Sequence, residues 1–218
     1  MTRRLLSAGL AAGLAAAALA PAPASAHPHV WVTARSEIVY GPDGRMSAIR
    51  HAWTFDEMFA SFATQGLDAD GDGKLSREEL APLAEVNVTS LKEFGFFTFS
   101  KNGEKKVTFA EPVDYWLEMN GKDLTLRFTL PVKADAPDKG AALKVEVYDP
   151  TYFVAFEFAQ EQPAKLIDAP AGCALDFERP KPPSEAAGKT LSESFFTGLS
   201  PGSNFGAQFS NAISVSCR

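Results

Sequence analysis

Histidine, cysteine and basic charge are all scarce in this 218-residue chain, which has three His, two Cys, and 21 Lys and Arg against 27 Asp and Glu. A net charge of −6 repels phosphate backbones and sets nucleic acid aside as a partner. The shortage of histidine removes an enzyme class as well. Gly198-Leu199-Ser200-Pro201-Gly202 spells a hydrolase nucleophile elbow, but the residue after the serine must donate its backbone N–H to the oxyanion, and Pro201 has none. No strand pattern precedes it, and no histidine is placed to act as its base. Beyond the first residues there is no apolar run approaching the ~20 needed to cross a bilayer, and no internal repeat.

What is present at the start reads as an export signal. Arg3 and Arg4 supply the positive end, Leu5 to Ala20 the apolar run, and Ala24-Ser25-Ala26 the small-residue cleavage pattern. A run of sixteen residues, mostly Ala and stopped by Pro21, is short for a membrane anchor. Thr2-Arg3-Arg4-Leu5-Leu6 partly resembles a twin-arginine signal. The expectation is a signal peptide over 1–26, cleavage before His27, and a periplasmic chain that spans no membrane. That mature chain would carry 19 Lys and Arg against 27 acids, and its 192 residues suffice for one substantial core or two small ones. Cys173 and Cys217 would both be exported, and in an oxidising compartment such a pair reads as a disulfide, with two free buried thiols as the alternative. Closing that loop would stabilise the fold by ~4 kcal/mol in the chain-entropy model.

Strand signals dominate the rest. Val30 to Tyr40 and Met46 to Phe55 flank Gly41-Pro42-Asp43-Gly44, a hairpin signature. Asn102-Gly103 and Asn120-Gly121 mark two more tight turns, between Phe96–Lys101 and Val107–Ala110 and between Val113–Met119 and Leu124–Leu130. Leu143 to Tyr148, Tyr152 to Ala159 and Ala212 to Cys217 are further strands. Helical spacing interrupts them at Asp56 to Leu67 (Met58, Phe59, Phe62) and from about Arg77 through Leu80 and Leu83, with a short helix around Thr89 to Phe94. The 17 Phe, alternating along strands, read as core. The expected fold is α+β, mostly antiparallel and sandwich-like: a β-rich domain over 27–179 interrupted by a helical insertion at 56–94. A proline-bearing linker or long loop follows at 180–211, then a C-terminal strand at 212–218 tied back by the disulfide.

Asp68-Ala69-Asp70-Gly71-Asp72-Gly73-Lys74-Leu75-Ser76-Arg77-Glu78-Glu79 meets every demanding position of a twelve-residue EF-hand loop. Asp68, Asp70 and Asp72 offer hard oxygens at positions one, three and five, and Gly73 allows the sharp turn. Lys74 offers its backbone carbonyl, Ser76 sits where a water intervenes, and Glu79 closes the shell with both oxygens. Over about thirty residues the segment resembles the EF-hand family, which implies calcium. With no second loop, a structural ion that neutralises clustered carboxylates and fixes two helices is the expected role.

His27-Pro28-His29 would open the mature chain. Residues two apart on a strand face the same way, so two imidazoles and the new α-amino group offer three nitrogen donors, which suit nickel, cobalt, copper or zinc. Pro28 has no amide hydrogen, so the square-planar mode that recruits deprotonated amides cannot form in its usual version. If the first hairpin turns through four residues, paired numbers sum to 85: His29 lies opposite Asp56, and His51 opposite Ala34, some ~16 Å from His29. Asp56 is then the better fourth ligand.

His27-Pro28-His29-Val30-Trp31, Trp53-Thr54-Phe55-Asp56-Glu57, Tyr148-Asp149-Pro150-Thr151-Tyr152 and a C-terminal cysteine together resemble an uncharacterised bacterial periplasmic family. Its members are described as periplasmic components of an unknown ABC-type transport system, often associated with nickel, cobalt or zinc transport genes. The resemblance implies a non-enzymatic, metal-binding accessory role beside an inner-membrane metal transporter, without identifying the metal, and makes the calcium loop an insertion. Two alternatives stand: an N-terminal-histidine copper oxygenase, superficially similar to lytic polysaccharide monooxygenases and needing His51 as second ligand, and a purely structural calcium-stapled sandwich that binds a partner.

Overall fold

A computed structural model describes residues 28–133, 142–180 and 193–217, so His27 and the expected signal segment lie outside the described residues. Within them, eleven strands form two sheets. The first has the order β5 (Val113–Asn120), β6 (Asp123–Pro131), β2 (Met46–Phe55), β1 (Val30–Tyr40), β8 (Val154–Phe158), with β9 (Ala164–Ile167) also paired to β1. The second has the order β10 (Cys173–Glu178), β11 (Asn211–Cys217), β7 (Leu143–Val147), β3 (Thr98–Asn102), β4 (Lys105–Val107). Between β2 and β3 come α1 (Glu57–Ala63) and α2 (Arg77–Ser90). No helix among the described residues is long and apolar enough to cross a membrane.

Alternation explains the layering. Along β1 the residues Val30, Val32, Ala34, Ser36, Ile38 and Tyr40 are buried while their neighbours face out, which is the period of a half-buried strand. The inner faces of the two sheets share one core. Trp53 lies 4.7 Å from Phe128 and 4.9 Å from Phe156, and Phe156 lies 5.5 Å from Phe97, ring centre to ring centre.

Two buried polar side chains bridge the sheets through that core. Asn211 of β11, wholly buried, donates to the Phe156 carbonyl at 2.7 Å and accepts from the Phe158 amide at 3.1 Å. His51 of β2 joins Ser36 Oγ through Nδ1 (3.0 Å) and Thr98 Oγ1 through Nε2 (3.1 Å). The proton positions follow from chemistry. Thr98 Oγ1 donates its only hydrogen to the Phe96 carbonyl at 2.8 Å, so it can only accept from His51. Nε2 therefore carries the proton and Nδ1 accepts from Ser36. With both nitrogens satisfied inside the core, burial holds the His51 pKa down at about 3.

The first hairpin departs from the expected register. Tyr40 pairs with Met46, Val39 with Ala48, and Val32 with Phe55. Ser47 is thus an extra residue, a β-bulge, and paired numbers sum to 87 along most of the ladder. His51 lies opposite Ser36, not Ala34, and Asp56 lies opposite Trp31, not His29, with the Asp56 amide on the Trp31 carbonyl at 2.9 Å. A shift of two keeps every side chain on its face, so the hydrophobic pattern alone could not reveal it.

The other two hairpins form as expected, but each two-residue turn sits one position later, at Gly103-Glu104 and Gly121-Lys122, and β4 is Lys105–Val107 rather than 107–110. β8, expected in an antiparallel sheet, runs parallel to β1, and so does β9. β9 and β10 were not anticipated as strands. In 180–211 the described residues hold a short helix, α3 (Glu193–Thr197), and two 3-10 turns, Pro201–Ser203 and Phe205–Phe209. A Cys173–Cys217 disulfide joins paired positions of β10 and β11.

Candidate metal sites

The first site is the loop between α1 and α2. Gly71 and Gly73 adopt φ of 73° and 77°, the left-handed region that lets the chain fold back on its carboxylates. Asp68 accepts from the Gly71 amide at 2.8 Å and the Gly73 amide at 3.0 Å, Asp70 from the Asp72 amide at 3.1 Å, and Asp72 from the Lys74 amide at 2.7 Å. Glu79 reaches back to the Ala69 amide (2.7 Å) and the Ser76 amide (2.8 Å). Ser76 caps α2 and closes a reciprocal capping box with Glu79.

Those bonds bring oxygens of Asp68, Asp70 and Glu79 within 4.8 Å of one another; Asp72 is not in that group. Hydrogen bonds from the Ser76 and Ala69 amides, then the Ser76 hydroxyl, hold the Glu79 carboxyl down at about 2. Three carboxylates gathered on one turn are a hard-oxygen donor set, the kind that suits hard cations rather than soft ones. The two Asp68 oxygens take one amide each, whereas Glu79 Oε2 takes both the Ser76 amide and the Ser76 hydroxyl. Leu67 and Leu75, at either end of the loop, pack on the main core.

The second region is the end of the sandwich where β1 begins. His29, exposed, packs on Phe153 with ring centres 4.7 Å apart and planes tilted by 35°, and its amide donates to the Phe153 carbonyl at 2.9 Å. Asp56 caps α1 by accepting from the Phe59 amide at 2.9 Å and takes the Trp31 amide on its other oxygen at 2.9 Å. Asp149, buried, ties the following turn: its carboxylate accepts from the Thr151 amide and hydroxyl and from the Val154 amide, at 2.8–2.9 Å. The three sequence motifs, far apart in the chain, therefore meet at one end of the first sheet. His51 is not among them, since it lies inside the core with both ring nitrogens engaged.

Beside this end is a cleft of about 280 Å³ with Trp31, Tyr152, Glu157 and Phe209 in its walls. Its far wall is the segment after α3. Tyr152 stacks on Phe209 with centres 4.1 Å apart, Tyr148 Oη donates to Asn204 Oδ1 at 2.9 Å, and the Gly206 amide donates to the Pro150 carbonyl at 2.9 Å. A Cβ on Gly206 would sit 1.7 Å from the Asp149 carbonyl oxygen, so only glycine fits there. Phe153, Asn204 and Gly206 carry no local signal in the sequence, because their roles come from contacts with residues distant in the chain, His29, Tyr148 and Pro150.

The sequence model of the family described as "Protein of unknown function (DUF1007)" matches residues 12–217. The "Uncharacterized 15.5 kDa protein in trpE 3'region" of Spirochaeta aurantia is 29% identical over 99 residues, 45% of this chain and 70% of that protein. An "Uncharacterized protein" of Haemophilus influenzae is 22% identical over 136 residues, 62% of this chain and 65% of its own length. The latter figure means that the chain spans less than two thirds of that relative.

Proposed function

We propose, starting from the fact that this chain belongs to the DUF1007 family, that it is an exported, non-enzymatic metal-binding protein. In this reading it works in the periplasm beside an inner-membrane transporter of nickel, cobalt or zinc. The observation that carries the reading is the meeting of the His29–Trp31, Asp56 and Asp149–Phe153 segments at one end of the sandwich. His27 and His29, with the α-amino group freed by cleavage, supply nitrogen donors for a borderline-soft ion. Asp56, anchored by two backbone amides, is the carboxylate we assign to them; it retains unused lone pairs. Phe153, packed against His29, limits where that ring can turn.

The loop is assigned calcium, held by Asp68, Asp70, Asp72, Glu79, the Lys74 carbonyl and, through water, Ser76. Calcium there neutralises carboxylates that otherwise repel one another and fixes α2 relative to α1. The copper-oxygenase alternative loses its second ligand, because drawing His51 out would break the bridge between the sheets.

The test is a titration of processed, metal-free protein with nickel, cobalt, zinc and copper, and separately with calcium. We expect one transition-metal equivalent that disappears when His27 and His29 are both replaced by alanine, and one calcium equivalent that does not. Unchanged transition-metal binding in the double variant, or none in the parent, would end the proposal. Turnover of a reductant by the copper form would restore the enzyme reading.

A further inference from the structure

The outer face of the first sheet carries a feature that neither metal site uses. Arg35 of β1, Ala52 of β2 and Arg127 of β6 are consecutive partners across three strands. Neighbouring strands are ~4.8 Å apart, so the two arginines stand roughly 10 Å from each other with a methyl group as the floor between them. In the next row Arg50 faces Glu37, and Glu37 faces Lys165 of β9. Together these residues and Gln162 line a cleft of about 200 Å³.

Its charge runs against that of the molecule. In a chain of net charge −6, the cleft holds four cations, and the carboxylates on them are two. Glu37 takes both Arg50 (3.5 Å) and Lys165 (2.9 Å), and Glu118 takes Arg127 at 2.7 Å. Arg127 uses only Nε for that pair, and no carboxylate pairs with Arg35 among the described residues. Two guanidinium faces are therefore left for a further acceptor.

The backbone is shaped for this hollow as well. β8 and β9 both lie along β1, but the ladder breaks beside Arg35: the Ala159 amide bonds the Ala34 carbonyl, and the Ser36 amide bonds the Pro163 carbonyl. Between them the chain bulges outward, and Gln162 is held at φ 47°. A non-glycine residue in the left-handed region is strained, and such strain collects at binding sites. Gln162 stands at the rim with an amide that can donate or accept.

We propose that this cleft binds a small multivalent oxyanion, a dicarboxylate or a phosphate, held between the Arg35 and Arg127 guanidinium groups over Ala52. Guanidinium forks match both chemistries with paired N–H···O bonds. The proposal stands apart from the metal reading: it requires neither histidine nor calcium.

The test is calorimetric titration of the full, metal-free chain with succinate and, separately, with inorganic phosphate, at low and high salt. Saturable one-to-one binding is expected for one or both, weakening with salt. Arg35→Gln, which removes the guanidinium, and Ala52→Leu, which fills the floor, should each weaken binding about tenfold or more. Both positions face solvent, so melting temperatures should stay at the parent value; if Ala52→Leu does not fold, Arg35→Gln decides. Succinate alone binding assigns a carboxylate ligand, and phosphate alone assigns a phosphate. No saturable binding of either anion, or unchanged affinity in Arg35→Gln, would overturn the site.

Discussion

The loop at 68–79 and the histidine end of the sandwich are built in opposite ways. In the loop the widest hydrogen bond joins residues ten apart, Ala69 to Glu79. At the histidine end Trp31 meets Asp56 across 25 residues, and Tyr148 meets Asn204 across 56. A site of the first kind travels with its own dozen residues, whereas one of the second kind exists only while the whole sandwich is closed. Damage to the core should therefore disable the histidine end and leave the loop able to gather its carboxylates.

The largest expected effect comes from acid, acting through His51. Its pKa is about 3 folded against 6.5 for a free imidazole, so unfolding takes up a proton between those values. Stability from this group is full above pH ~6.5 and falls as pH drops toward 3, by about 4 kcal/mol. Denaturant melts of the parent across that range should show the loss. His51→Leu should be less stable at pH 7, with Ser36 Oγ and Thr98 Oγ1 robbed of their partner, but should lack that part of the slope. An equal acid slope in the variant would show that His51 does not govern it.

Next in size is Gly206→Ala. The added carbon cannot share space with the Asp149 carbonyl, so the segment after α3 must lift from the Tyr148–Tyr152 turn, at a cost of about 3 kcal/mol. Chemical denaturation should show that loss, and transition-metal affinity should drop with it. Calcium affinity should hold. A calcium site that weakened equally would mean that the two regions are one cooperative unit.

How much of this could be read beforehand follows the same division. The loop is legible because twelve consecutive residues fix both donors and turn, and the Gly41–Gly44, Asn102-Gly103 and Asn120-Gly121 turns for the same reason. The alternation along β1 identifies its buried face. The first hairpin, in contrast, turns through five residues rather than four and bulges at Ser47, two single-residue changes that together move Asp56 from His29 to Trp31 without altering the pattern of burial. β9 is only four residues long and β10 is largely exposed, so neither has the fully buried face that marks β1. His51 looks like any spare ligand until the hydroxyls of Ser36 and Thr98, 15 residues before it and 47 after, close around it.

Smaller, and confined to the local region, is Glu79→Gln. In the parent, about 10 mM calcium should raise the melting temperature by several degrees, given the ~10⁻⁴ to 10⁻³ M affinity typical of extracellular modules. The amide keeps the shape of the side chain but loses the charge that closes the shell, so the shift should vanish while nickel or zinc binding persists. Loss of both would contradict the independence of the two regions.

The smallest effect belongs to Lys122→Ala. Lys122, in the turn between β5 and β6, reaches Glu57 at the start of α1, and Glu57 raises its pKa. It is one of the charged contacts between the helix–loop–helix and the sheet, beside Arg77 over Trp116. Both side chains are largely exposed, at 74% and 65%, so water and salt screen the pair and its loss should not change the melting temperature measurably. α1 and α2 instead hold to the sandwich through Ala60, Leu80, Ala84 and Val88, which are buried in the main core. A calcium affinity that fell in Lys122→Ala would show that the loop senses the sheet through this contact, and its apparent self-sufficiency would then be only that of its hydrogen bonds.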